Sequence, residues 1–184
     1  MQFRQTALDG VLIVEPRVFG DSRGFFLECW RADRFAAAGI RTSFVQENQS
    51  RSARGTLRGL HYQEPKAQGK LVRTIRGTIF DVAVDIRVGS STFGRWLGVE
   101  LSEENHLQLW VPPGFAHGFC TLSAEADVAY LTTEFYTPEA EQVIAWNDPA
   151  LGITWPLQSP TLSPRDRQAR PLSEMGVLPA WAVR

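Results

Sequence analysis

Cysteine is scarce in this chain: Cys29 and Cys120 are the only two among 184 residues. Two thiols are too few for a disulfide framework, which excludes the small stapled scaffolds of secreted proteins. One is followed by Trp30 and the other preceded by Phe119, a setting that predicts buried structural thiols. An excess of one charge is missing as well. The formal net charge is −1, so no global field draws the chain to nucleic acid or to a membrane surface. No apolar run is long enough to cross a bilayer. The first residues, Met1-Gln2-Phe3-Arg4-Gln5, lack the apolar core of a signal peptide. These absences predict a cytoplasmic protein with no nucleic-acid and no membrane partner. Repeats, linkers and low-complexity segments are also absent. A content of 43% hydrophobic and 21% charged residues is that of a folded protein, and one domain spanning residues 1–184 has room for a substantial core.

Glycine and proline punctuate the chain at short intervals, and β-branched and aromatic residues fill the segments between them. That pattern predicts an all-β protein of many short strands with a few short helices. In Thr78–Arg87, Phe80, Val82, Val84 and Ile86 fall on one face at period two, with Asp81, Asp85 and Arg87 on the other. Gly77 between this strand and Leu71–Ile75 predicts a tight hairpin. Further strands are expected at Val11–Glu15, Phe25–Trp30, Trp96–Leu101, Gln108–Val111, Ala129–Tyr136 and Gln142–Trp146. Asp33–Gly39 reads as a short helix with Asp33 as N-cap and Gly39 as its stop. The segment after Leu157 is rich in Pro, Ser and Arg and is expected to wrap the surface.

Histidine is scarce too, with three in all, and two sit in strand-like motifs. These are Arg58-Gly59-Leu60-His61-Tyr62-Gln63 and Pro113-Gly114-Phe115-Ala116-His117-Gly118-Phe119. The pair resembles the two halves of a cupin-type β-barrel. A metal-binding cupin would carry His-x-His in the first motif, where this chain has His61-Tyr62-Gln63. A metal site on His61 and His117, with Glu64 or Gln68 as third ligand, therefore lacks its second histidine. Proton transfer is the better use of His61, since an unperturbed imidazole titrates near neutral pH. Arg58, Lys70 and Arg73 lie close by in sequence and predict an anionic ligand. A base that takes a proton next to a carbonyl needs a cation for the enolate oxygen, and Lys70 is the candidate. A buried carboxylate would restore the basicity of an imidazole among cations; Asp81, Asp85 and Asp166 are the candidates. Asp166 also fits a helix cap, because Ser163-Pro164-Arg165-Asp166 places serine at the N-cap and an acid at N3. Tyr130 can serve as an acid opposite the base, and Tyr136 can stack on a flat ring. Each residue also has a plain structural alternative: a satisfied core histidine, a solvated lysine, a packed tyrosine. His106 stands in a polar loop and is given no role.

These motifs, with Lys70-Leu71-Val72-Arg73, Asp81–Arg87 and Trp146-Asn147-Asp148-Pro149, resemble the dTDP-4-dehydrorhamnose 3,5-epimerase family from about Phe19 to Asp166. The resemblance implies a jelly-roll cupin barrel, a homodimer, and no metal or other cofactor. It implies inversion of C3 and C5 of dTDP-4-dehydro-6-deoxy-D-glucose to give dTDP-4-dehydro-L-rhamnose. The alternative is a mono-epimerase acting at C3 only, for another deoxysugar. By motif, His61 would be the base, Asp166 its carboxylate partner, Tyr130 the acid and Lys70 the enolate cation. His117 and Asp81 would form a second polar pair. Arg23, Phe26, Glu28, Gln46, Asn48, Arg58 and Glu141 would contact the nucleotide sugar, and Tyr136 would stack on thymine. Leu131 and Arg165 depart from the lysines common at those places.

Overall fold

The computed structural model describes residues 1–181, so the last three residues of the expected 1–184 domain lie outside the described residues. Among the described residues there are thirteen strands, two short α-helices and one 3-10 turn, Leu172–Glu174. The strands are β1 Gln2–Gln5, β2 Leu12–Glu15, β3 Val18–Asp21, β4 Gly24–Leu27, β5 Gln46–Ala53, β6 Leu57–Gln63, β7 Lys70–Arg76, β8 Thr78–Asp85, β9 Trp96–Ser102, β10 Gln108–Val111, β11 Phe115–Thr121, β12 Glu125–Thr132 and β13 Glu141–Val143. The helices are α1 Ala32–Ala37 and α2 Pro164–Arg167. Two antiparallel sheets form a cupin-type jelly roll. One has six strands in the order β1-β2-β10-β7-β12-β5; the other has five, β13-β6-β11-β8-β9. β3 and β4 form a separate hairpin.

The period-two pattern explains why these strands pack as two layers. On β8, Ile79 and Ala83 point between the sheets with Val72, Leu109, Phe115 and Phe119. The alternate residues Val82 and Val84, with Ile86 just beyond the strand, point outward. They are covered by Leu151, Trp155 and Leu172 from the C-terminal segment. The outer face of the six-stranded sheet carries Leu12, Val14, Leu71 and Trp110, and Phe35 of α1 covers it. Both faces of the central strands are therefore buried, at about 1.5–3 kcal/mol per large apolar side chain removed from water. The face of β8 that carries Asp81 and Asp85 is thus interior: both residues are fully buried.

Three sequence expectations are corrected. β7 and β8 do not form a hairpin: β7 pairs with β10 and β12, β8 with β9 and β11, and Gly77 carries the chain from one sheet to the other. Gly77 has φ +76, and a Cβ there would collide with the Glu125 carbonyl, so the crossing needs glycine. The N-cap position of α1 is held by Arg31, without a side-chain capping bond, and not by Asp33, which pairs with the Arg31 guanidinium; Gly39 does follow the helix end with φ +92. Tyr136 lies beyond β12, in the loop that leads to β13. The C-terminal segment wraps the five-stranded sheet as expected, through single bridges Thr56↔Thr161, Ile144↔Arg170 and Val88↔Ala180. Cys120 is buried and its thiol is pushed up to about 11 by desolvation; Cys29 is half-buried, and both are free.

Candidate active site

Towards one end of the barrel the apolar interior gives way to a cavity of about 340 Å³ with polar walls. One wall comes from the six-stranded sheet. Gln46, Asn48 and Ser50 alternate along β5, Tyr130 stands opposite Asn48 on β12, and Lys70 opens β7. The other wall comes from the five-stranded sheet, with Arg58 and His61 of β6, His117 and Phe119 of β11, and Glu141 of β13. His117 and His61 are direct cross-strand partners.

Arg58 and His61 are three residues apart and would face opposite ways in an unbroken strand. A bulge brings them together: Arg58 pairs with Phe119 and His61 with His117, so two residues of β6 oppose Gly118 alone. Gly59 takes φ +133 there, and a Cβ on it would stand 2.5 Å from the Gly118 Cα. A Cβ on Gly118 would stand 2.8 Å from the Arg58 carbonyl. Each glycine is required by the other's closeness.

Each wall histidine is held by a buried carboxylate. His61 Nε2 lies 2.6 Å from Asp166 Oδ1, and His117 Nε2 lies 2.8 Å from Asp81 Oδ1. With the carboxylates ionised, Nε2 carries the proton and donates, leaving Nδ1 of each ring as the free nitrogen. Burial pushes the Asp166 carboxyl up, but the His61 bond and charge, the Ser163 hydroxyl and Arg58 together hold it below its ordinary value. The Asp166 N–H also donates to Ser163 Oγ at 3.0 Å, so Ser163 is the cap of α2 and the Asp166 carboxylate is left to the histidine. Asp85, the third candidate carboxylate, is occupied elsewhere by Arg87, Ser90 and Thr92.

Lys70 is buried in the wall, and desolvation pulls its ammonium down to about 8 against the attraction of Glu141 and Asp81. Burial raises the Tyr130 phenol, and Glu141 adds to this while Arg58 opposes it, so the group stays protonated at neutral pH. At the mouth, Tyr136 donates its hydroxyl to Glu141 Oε2 at 2.9 Å, and Arg165 pairs with the same carboxylate.

Of the residues named from sequence, His61, Lys70, Tyr130, Gln46, Asn48, Arg58, His117, Tyr136 and Glu141 line this cavity, with Asp166 and Asp81 directly behind the histidines. Three stand elsewhere. Arg23 and Phe26 are on the β3–β4 hairpin, where Arg23 pairs with Asp21 and Phe26 is 69% exposed. Glu28 lies near Arg31 and Arg34. Ser50 and Phe119 line the cavity without having been assigned to it, and Gln68, named from sequence only as a possible metal ligand, lines it too; the period-two run Gln46-Asn48-Ser50 was the available signal for the first. Among the described residues, no three His, Cys, Asp or Glu side chains come together as a metal site. A larger cleft of about 510 Å³ lies near Arg87 and Trp181 and contains no histidine or lysine.

Residues 5–174 match the family model described as dTDP-4-dehydrorhamnose 3,5-epimerase. The chain is 55% identical over 181 residues to the dTDP-4-dehydrorhamnose 3,5-epimerase of Pseudomonas aeruginosa, covering 97% of this chain and all of the relative. It is 41% identical to a dTDP-4-dehydrorhamnose 3-epimerase of Streptomyces niveus, over all of this chain and 91% of that one. A crystal structure of dTDP-6-deoxy-D-glucose-3,5-epimerase from Legionella pneumophila, in complex with dTDP-4-keto-L-rhamnose, superposes with a TM-score of 0.97 at 50% identity, covering 99% of both chains.

Proposed function

This chain belongs to the dTDP-4-dehydrorhamnose 3,5-epimerase family, and from that premise we infer how its residues divide the reaction. The protein is an isomerase that inverts C3 and C5 of dTDP-4-dehydro-6-deoxy-D-glucose, giving dTDP-4-dehydro-L-rhamnose. The observation that carries the division of roles is the origin of the two proton-transfer groups. His61 comes from one sheet and Tyr130 from the other, so a sugar ring between them presents one face to each.

His61, oriented by Asp166, takes the proton from C3 or C5. The C–H electron pair moves into the ring and the C4 ketone becomes an enolate. Lys70 offers its ammonium to that oxygen, and because C4 adjoins both carbons one cation serves both steps. Tyr130 then gives its proton to the opposite face, which inverts the centre. The imidazolium releases its proton and the phenolate recovers one from solvent before the next step. A positioned base contributes roughly 10²–10⁴-fold, so charge stabilisation by Lys70 must supply much of the remainder. His117, whose Nε2–H is taken by Asp81, offers the wall an acceptor at Nδ1. Arg58, Gln46, Asn48 and Glu141 are read as contacts to the nucleotide sugar, with Tyr136 stacked on the base.

Arg23 and Phe26 support a homodimer. They lie outside their own cavity, on a hairpin whose Phe19, Phe25 and Phe26 are 50%, 64% and 69% exposed. β1 leaves a free edge on the six-stranded sheet. We read the hairpin as completing the partner's cavity. Residues 1–184 are read as one domain, since the chain alternates between the two sheets over β5–β8 and again over β9–β13. The free thiols fit the reducing cytoplasm, and no described helix is long and apolar enough to cross a membrane.

The test is proton NMR of the 4-keto sugar nucleotide with the protein in D₂O. Deuterium at C3 and C5 with conversion to the L-rhamno product is expected; deuterium at C3 alone would indicate the mono-epimerase. For the dimer, an Arg23→Ala chain refolded with a His61→Asn chain should regain activity that neither has alone. Failure to complement would sink the shared site.

A further inference from the structure

Gln63 stands where a metal cupin would place its second histidine, at the end of β6 and opposite Glu141. It is 4% exposed, and its whole amide is in use. Nε2 donates to the Lys66 carbonyl at 2.6 Å and to the Phe135 carbonyl at 3.1 Å, while Oε1 accepts from the Thr137 N–H at 2.9 Å. The last two bonds grip the residues on either side of Tyr136. The first ties that grip to the loop after β6, which leads into Lys70.

We propose that Gln63 is a positioning residue for nucleotide recognition: its amide clamps the backbone around Tyr136 and so fixes the ring that meets the base. The proposal rests on the reading of Tyr136 as a stacking platform. Tyr136 is 47% exposed, so packing does little to hold it. Its own polar contacts are to Gln46 and Glu141, which also line the cavity. An aromatic platform adds affinity when it is held in place before the ligand arrives. The chemistry also explains why glutamine suits this position. A primary amide presents two donors and an acceptor from one side chain, whereas an imidazole has only two ring nitrogens. A histidine there could not hold both carbonyls and the Thr137 N–H together.

The test uses Gln63→Met, which keeps the shape and loses the hydrogen bonds, and Gln63→Glu, which at neutral pH cannot donate to the two carbonyls. Calorimetry with dTDP and with inorganic pyrophosphate separates the base from the phosphates. We expect dTDP binding to weaken roughly tenfold or more and pyrophosphate binding to stay within about twofold. KM for the sugar nucleotide should rise with little change in kcat. In a Tyr136→Ala background the Gln63 substitutions should have no further effect on dTDP. Equal weakening of both ligands, or an undiminished effect without Tyr136, would overturn the proposal. In the unmodified protein the Thr137 amide should exchange slowly with D₂O, and ready exchange would also overturn it; this measurement needs no variant to fold. If the unmodified protein binds no dTDP, the nucleotide-sugar reading itself is wrong and the proposal falls with it. If it binds dTDP and the variants bind equally well, only the proposal fails.

Discussion

Replacing Lys70 with methionine should inactivate the protein and make it more stable. The side chain is 9% exposed, and burial lowers its pKa from 10.5 to about 8, a value already net of attraction by Glu141 and Asp81. Keeping the ammonium charged at pH 7 therefore costs the folded state about 3 kcal/mol relative to the unfolded chain. Methionine has a similar shape and no charge, and its other loss is one long contact, Lys70 Nζ to the His61 carbonyl at 3.5 Å. For a chain of this length the gain corresponds to a rise of roughly 6–12 °C in Tm. The sign of the pH dependence follows from proton uptake. Between pH 8 and 10.5 the unfolded chain keeps a lysine proton that the folded protein has released, so the parent gains stability as pH rises. The cost is full below 8 and gone above 10.5. The methionine variant's margin should thus shrink from about 3 kcal/mol at pH 7 to less than half of that at pH 9.5. Urea unfolding of both proteins at both pH values measures it. Solvent exchange at C3 and C5 should fall by roughly 10²-fold or more. No margin at pH 7, or an equal margin at both pH values, would refute the burial argument. Undiminished exchange would refute the enolate role.

Four further outcomes follow from the geometry. Tyr130→Phe should still exchange substrate protons with D₂O through His61, yet return them to the same face; unimpaired inversion would show that another group is the acid. Asp166→Asn should lower kcat by roughly 10²–10⁴-fold by releasing the His61 tautomer, with substrate affinity largely kept; a change confined to KM would assign Asp166 to binding instead. kcat/KM should decline as pH rises through about 8, where Lys70 loses its charge. Lys70→Arg, if active, should move that limb upward because a guanidinium stays charged; a limb that stays put belongs to another group. Dialysis against a chelator should leave turnover unchanged, and restoration by an added divalent ion would contradict a metal-free mechanism.

Gln108–Val111 could be read to the residue, because an apolar and aromatic run stopped by Pro112-Pro113 is a local signal, as is the alternation along β8. What alternation could not reveal is which face meets water. The pattern of β8 separates Asp81 and Asp85 from Phe80, Val82 and Val84, but that both aspartates are interior follows from a second sheet that covers them. The hairpin expected at Gly77 failed for a related reason: a tight turn and a crossing between sheets use the same residue. The His61 motif marked the cavity, whereas the choice among Asp81, Asp85 and Asp166 depended on pairing across distant parts of the chain. Arg165 and Glu141 meet for the same reason, through a contact between β13 and α2 that no local pattern encodes.

The bulge in β6 has a consequence for how this site can vary. Because one backbone irregularity puts both Arg58 and His61 into the cavity, the proposed ligand contact and the proposed base share a single register. A side chain at Gly59 or Gly118 would press on the backbone opposite it and so disturb Arg58 and His61 together. Side chains elsewhere in the wall can drift one at a time, each altering affinity a little. The glycine pair beneath them has no such gradation, so variation among descendants of this chain should accumulate in the wall side chains while Gly59 and Gly118 stay fixed.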